Sequence, residues 1–379
     1  MALLALLLAG LSTGAVEVSD APGSPPAEPR RAQIWRFGTT LALAASGHAQ
    51  RAQPVLVERY LRSARALATR LGLPVPGDLP ALTPDTRDPI AVSIAYLAAA
   101  NRQISPALKR SDGPAGASLF ELAWNSMILP SLYYPGQPLS ADYRTLIEGA
   151  AKANGLDTYV EPVLAKVDAR ASSDDVRWEM LVMDRTIARY LAAMSDGADD
   201  TSARRSSSSP LLITAWNLGG LVTMAGLEYG LGRQEAATAN YAKAKIVATD
   251  FGADISPLPP PAAPGEGLKS RGLDYAVATV GSLASLIERK HGPERAALLR
   301  LSGVIILMTA THDPGDTRSN YNTSIDAAVY GKLAGLPADL LEPFVNKTRA
   351  NAARVDVAEA TMSARRRIEE HLRHLDGIP

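Results

Sequence analysis

The chain has 379 residues, 46% hydrophobic and 21% charged, which supplies apolar material for two or three packed cores and excludes a disordered tail. Lys plus Arg equals Asp plus Glu at 39 each, so no net field gathers nucleic acid or an anionic membrane surface, and no nucleic-acid partner is expected. There is no cysteine, which removes disulfides, thiolate metal sites and cysteine nucleophiles together.

Residues Ala2 to Leu11 form a short apolar run, with small residues at Thr13-Gly14-Ala15 and Ser19-Asp20-Ala21. This pattern predicts a signal peptide over 1–21 that lacks a basic start, followed by a Pro-rich spacer over 22–31. The run is too short to span a bilayer, and Val304 to Met308, the longest later candidate, reads as core. The expectation is a periplasmic or secreted protein without a transmembrane segment.

From residue 32 the apolar spacing is helical. It predicts helices over 32–47, 51–72, 90–110, 115–131, 139–153 and 158–171, then a connecting helix over 175–194. Sixty-four alanines favour helix, and no strand alternation or Asn-Gly hairpin signal occurs. Within this half, LFELAWNSMILPSLYYPG gathers Trp124, Asn125, Met127, Tyr133 and Tyr134 in one helix and its exit loop. Two readings stand: a tyrosine-rich binding patch, or a core made by Trp124 and Met127 with the tyrosines as its lid. Ser195 to Pro210 is small, polar and serine-rich, which predicts a linker over 196–212.

Beyond the linker the chain matches its own first half. Trp216, Gly219 and Tyr241 stand 181 positions after Trp35, Gly38 and Tyr60. Gly292-Pro293, Leu298, Leu301 and Pro314 follow Gly113-Pro114, Leu119, Leu122 and Pro135 at 179, and Glu342-Pro343 follows Glu161-Pro162 at 181. The ordered pairs predict an all-α protein made by tandem duplication of a roughly six-helix module, copies at 32–195 and 213–375, with helical-hairpin, solenoid-like packing. In the second copy Leu273, Val277, Val280, Leu283 and Ile287 predict one buried face, and Leu340, Leu341, Phe344 and Val345 another.

Residues 213–252 resemble the tetratricopeptide-repeat family. Gly232, Ala237, Tyr241 and Ala244 fall at the family's spacing for the turn glycine and the second-helix packing residues, and Trp216 opens the first helix. The resemblance implies helical-hairpin packing and a protein-binding scaffold. Further on, GEGLKSRG at 265–272 reads as a linker, and THDPGDTRSNYN offers Arg318 and Tyr321 as a recognition edge.

Enzymatic signals are sparse. No G-x-S-x-G elbow, Walker A run or dinucleotide fingerprint occurs, so no cofactor is expected. His371 and His374 lie one turn apart, but among Arg365 to Arg367 and Arg373 they read as cations at the end of the last helix, and no metal site is expected. The leading expectation is a non-catalytic binding or scaffold protein that recognises a protein partner or small ligand at or between two homologous halves. Its candidate residues are Trp124, Asn125, Tyr133, Tyr134, Arg318 and Tyr321. The alternative is an all-α carbohydrate-active hydrolase or lyase using paired carboxylates drawn from Glu121, Asp142 and Glu148.

Overall fold

A computed structural model describes residues 28–83, 86–135, 139–194, 210–260 and 268–378. The signal-peptide reading, and most of the spacer and linker readings, lie outside the described residues. The chain divides into two compact units, Met1–Gly197 and Ala198–Pro379. Among the described residues all regular structure is helical. The first unit contains α1 (Arg30–Ala49), α2 (Pro54–Leu71), α3 (Pro89–Ser111), α4 (Gly113–Leu132), α5 (Ala141–Ala153), α6 (Asp157–Asp168) and α7 (Ser173–Ala193). The second contains α8 (Leu212–Gly230), α9 (Gln234–Thr249), α10 (Leu268–His291), α11 (Pro293–Thr311), α12 (Thr317–Leu333), α13 (Ala338–Arg349) and α14 (Arg354–Leu375).

Two helices organise each unit because they are apolar almost all round, and such a helix is stable only when surrounded. In the first unit these are α1, which buries Ile34, Trp35, Phe37 and Leu41, and α4, which buries Leu119, Phe120, Leu122 and Ile128. In the second they are α8 and α11. Around them lie amphipathic helices with narrower buried faces. Thus α1 packs on α2, α3, α4 and α7, while α4 also meets α3, α5 and α7. The second unit has the same arrangement: α8 packs on α9, α10, α11 and α14, and α11 also meets α10, α12 and α14. The helix expected to connect the halves, α7, therefore belongs to the first unit's core, and among the described residues each unit has seven helices rather than six. Contacts between a unit's first and last helices also close it on itself, unlike a solenoid whose repeats touch only their neighbours.

Glycine sets how closely the central helices approach. A Cβ on Gly38 of α1 would lie 2.7 Å from Ala123 Cβ and 2.9 Å from the Phe120 carbonyl of α4. A Cβ on Gly219 of α8 would collide with the Leu299 carbonyl of α11. A second close crossing, Gly226 against Gly272, joins α8 to α10, so Leu268 to Gly272 is the first turn of a helix and not linker. On α10 the buried face is Ala276, Val280, Leu283 and Ile287, whereas Val277 is 59% exposed. The expected stripe was off at that residue because Ala276, too small to stand out in the pattern, takes the inward position beneath α8.

Local details recur at matching places in the two units. The left-handed residues Arg51, Gly72, Gly113, Gly155 and Arg170 stand where the second unit has left-handed Gly232, Gly252, Gly292, Gly335 and Asn351. Tyr133 donates its hydroxyl to the Ala171 carbonyl at 2.6 Å, and at the matching position His312 donates Nε2–H to the Ala352 carbonyl at 2.8 Å. His48 to the Pro80 carbonyl is matched by Tyr229 to Pro260, and Tyr96 to Gly77 by Tyr275 to Ser256. Matching carbonyls thus accept from matching positions, with Tyr133 exchanged for His312 and His48 for Tyr229.

Adding a methyl group at the crossing overpacks backbone that cannot yield. Gly219→Ala is expected to destabilise the second unit by about 1–3 kcal/mol. Gly281→Ala, at a position in α10 with nothing within 4 Å of the added Cβ, is expected to stabilise it by about 0.5–1 kcal/mol through helix propensity. Urea unfolding of both variants checks the pair; equal effects would contradict the role given to the crossing.

Candidate functional site

The candidate binding residues stand in different surroundings within their own units. Trp124, Asn125 and Tyr133 are buried in the first unit, with the Trp124 indole N–H buried and without an acceptor. Asn125 donates Nδ2 to the Glu121 carbonyl, and its own carbonyl accepts from Tyr143. Tyr134 is 58% exposed beyond the end of α4. In the second unit Arg318 and Tyr321 lie in the first turns of α12 rather than in a loop, because Asp316 caps that helix through the Ser319 N–H. Arg318 is exposed and Tyr321 half-buried. Of the carboxylates considered for catalysis, Glu121 and Glu148 line different grooves, and Asp142 stands exposed in the first turn of α5.

One groove, of about 390 Å³, lies between α5 and α6. Its floor is Ala151, Val160 and Leu164, all buried. Four carboxylates, Glu148, Asp157, Glu161 and Asp168, and two cations, Arg144 and Lys152, stand along it. Arg144 donates Nε to Glu148 one turn on at 2.7 Å and Nη1 to Asp168 on α6, which ties the two helices together at that end. Both of those acids are about half exposed, at 48% and 52%. Asp157 and Glu161, four apart and so on one face of α6, make no ion pair among the described residues.

The corresponding helix pair of the second unit, α12 and α13, is built otherwise. Counted from the shared Gly-Leu turn and Glu-Pro pair, Ser324, Ala328 and Arg349 replace Arg144, Glu148 and Asp168. Leu341 and Gly331 replace Val160 and Ala151. Leu341 Cδ1 occupies the space a Cβ on Gly331 would need, so a large residue seats into a notch where the first unit has two medium ones.

A second groove, of about 540 Å³, lies between α3 and α4, lined among others by Asn101, Arg102, Lys109, Pro106 and Glu121. Asn101 donates Nδ2 toward Glu121 Oε1 at 3.5 Å, while its Oδ1 is buried and accepts nothing. Pro106 lies inside α3 and has no N–H, so the Arg102 carbonyl lacks its helical donor. In α10 and α11 the matching pair, Glu288 and Arg300, is joined at 3.2 Å with both side chains less than one-fifth exposed.

Sequence reasoning missed Arg144, Asp157, Glu161 and Asp168. Only the Arg144–Glu148 pair carries a local signal, the i to i+4 spacing. It also missed Asp184 on α7, which accepts the Trp35 indole N–H at 2.9 Å. Burial pushes the Asp184 carboxyl up to about 6, against the hydrogen bond from Trp35 and the charge of Arg185, both of which pull it down. In the second unit Trp216 donates instead to Glu369, which lies nearer solvent and beside Arg365.

The raised Asp184 value has a definite consequence for stability. An unfolded aspartate titrates near ~3.9, so between about pH 4 and pH 6 the folded unit holds a proton that the unfolded chain has released. Stability falls as pH rises through that window, by on the order of 3 kcal/mol, and the loss is complete above the folded value. Asp184→Asn keeps an acceptor for Trp35 without the charge. It is expected to remove this fall and to stabilise the first unit at pH 7.5 but not at pH 4, measured by urea unfolding at both pH values. Equal destabilisation at both would show that the carboxylate is not the titrating cause.

Among the described residues no group of three or more potential ligands could hold a metal ion, and no helix is long and apolar enough to cross a membrane. No family model, no curated protein and no solved structure matches this chain.

Proposed function

We propose that the protein works by binding rather than turnover, as a tandem duplication of one seven-helix module whose first copy recognises a partner protein. The duplication is supported by the matched helix order, the matched left-handed positions and the matched carbonyl contacts. The reading of 1–21 as an export signal belongs to this proposal and rests on sequence alone.

One observation carries the functional reading. The α5–α6 pair of the first unit holds an apolar floor beside Asp157 and Glu161, which make no ion pair among the described residues, where the second unit seats Leu341 against Gly331. Duplicates relieved of identical roles diverge where one has acquired a ligand. An apolar floor with an acidic rim suits a segment that alternates Leu-like and Lys- or Arg-like side chains, with Asp157 and Glu161 receiving the cations. Arg144, already held by Glu148 and Asp168, fixes the helix spacing. The tetratricopeptide-like hairpin of α8 and α9, with Gly232 left-handed at the turn and Ala237 and Ala244 fully buried, is consistent with a scaffold role for the second unit.

A paired-carboxylate enzyme has less support. General acid and base need a shared cavity and different environments. Glu121 and Glu148 line separate grooves, and Glu148 and Asp168 are both open to water with an arginine between them.

Fluorescence anisotropy with labelled peptides of alternating Lys and Leu, and with matched Glu and Leu peptides, tests the proposal. The cationic peptides are expected to bind and the acidic ones not. The Asp157→Lys, Glu161→Lys double variant should weaken binding at least tenfold, while Glu342→Lys, at the matching place on α13, should leave it unchanged. Binding indifferent to peptide charge, or to the double variant, would contradict the assignment.

A further inference from the structure

The α3–α4 groove differs from its counterpart by a reversal of charge. Lys109 and Glu121 flank Gly113-Pro114 at the same spacings as Glu288 and Arg300 flank Gly292-Pro293. In the second unit the acid stands on the earlier helix and the base on the later one, and they join across the pair at 3.2 Å. In the first unit the base stands on the earlier helix and the acid on the later one, and the two line an open groove of about 540 Å³ without joining. Charge sign alone does not prevent a bridge here. What differs is that Glu121 is engaged by Asn101 and that Lys109 is exposed at the far end of α3.

The groove therefore has two chemically distinct ends. At one end stand two acceptors, the Glu121 carboxylate and the Arg102 carbonyl left without its helical donor by Pro106. These acceptors favour a group with several N–H donors. At the other end Lys109 presents positive charge. Pro114 and Ala117 give an apolar surface between them.

We propose that this groove is a second binding site, separate from the α5–α6 groove, for a small zwitterion of dipeptide size. Its ammonium group bonds to Glu121 and the Arg102 carbonyl, and its carboxylate to Lys109. The ligand completes across α3 and α4 the bridge that Glu288 and Arg300 make within the second unit.

Isothermal titration of the full chain with dialanine and with dileucine tests this site, with the N-acetylated and the C-amidated forms of each as controls. Binding of the unmodified dipeptides and at least tenfold weaker binding of both blocked forms is the expected result. The double variant Lys109→Glu, Glu121→Arg transfers the second unit's pair into the groove. It is expected to raise the thermal midpoint of the first unit and to abolish dipeptide binding, while cationic-peptide binding at α5–α6 is retained. Lys109→Gln, a change at an exposed position, serves as the second variant and should cut dipeptide affinity at least fivefold. Absence of dipeptide binding at millimolar concentration, equal binding of the blocked forms, or binding unaffected by Lys109→Gln would overturn the proposal without bearing on the α5–α6 groove.

Discussion

Each unit depends on a place where two helices approach so closely that only glycine fits. Gly38 faces the Phe120 carbonyl and Gly219 faces the Leu299 carbonyl, and both glycines lie on helices that are apolar almost all round. Once α1 and α4, or α8 and α11, cross there, their remaining surface can be buried only by a ring of amphipathic helices. The first and last helices then meet, as Trp35 meets Asp184 and Trp216 meets Glu369. In the second unit this closure is reinforced where Asp376, just after α14, accepts the backbone N–H groups of Leu212 and Ile213 at the start of α8.

The same frame tolerates different chemistry at its edges. A carbonyl that accepts from Tyr133 in one unit accepts from His312 in the other, and Arg51 holds a left-handed turn that Gly232 holds at its counterpart. The close Gly226–Gly272 crossing stands where the first unit has Ala45 and Ser93, whose hydroxyl donates to the Ala45 carbonyl at 2.8 Å. These exchanges preserve position and hydrogen bonding rather than residue type. Against that background, the charged groove at α5–α6 and the open groove at α3–α4 are departures with no such preserved contact, and the proposed recognition roles rest there.

Much of the fold was legible in the sequence because its signals are local. Apolar residues at helical spacing, prolines in first turns at Pro54, Pro89, Pro114 and Pro293, and left-handed glycines after α2 and α9 each act within a turn of chain. The matched glycines at 38 and 219 were visible as a pair, though not their reason, which is a carbonyl some eighty residues away in each unit. Asp184 was invisible because an aspartate between Met183 and Arg185 reads as surface until Trp35 is placed beside it. Similarly, Trp124, Asn125 and Tyr133 looked like a binding patch because polarisable side chains serve equally in a core. At the α5–α6 groove Arg144 reaches from α5 to Asp168 on α6, a tertiary contact with no periodic trace.

On the proposed duplication, one glycine-closed frame serves both units, left open at α5–α6 and shut at α12–α13 by Leu341 over Gly331. Native-state hydrogen exchange, read helix by helix on the full chain, tests this most directly. The slowest amides in each unit should lie in α1 and α4 and in α8 and α11, and α12–α13 should be better protected than α5–α6. Slowest exchange in the outer helices, or α5–α6 protected as well as α12–α13, would contradict it.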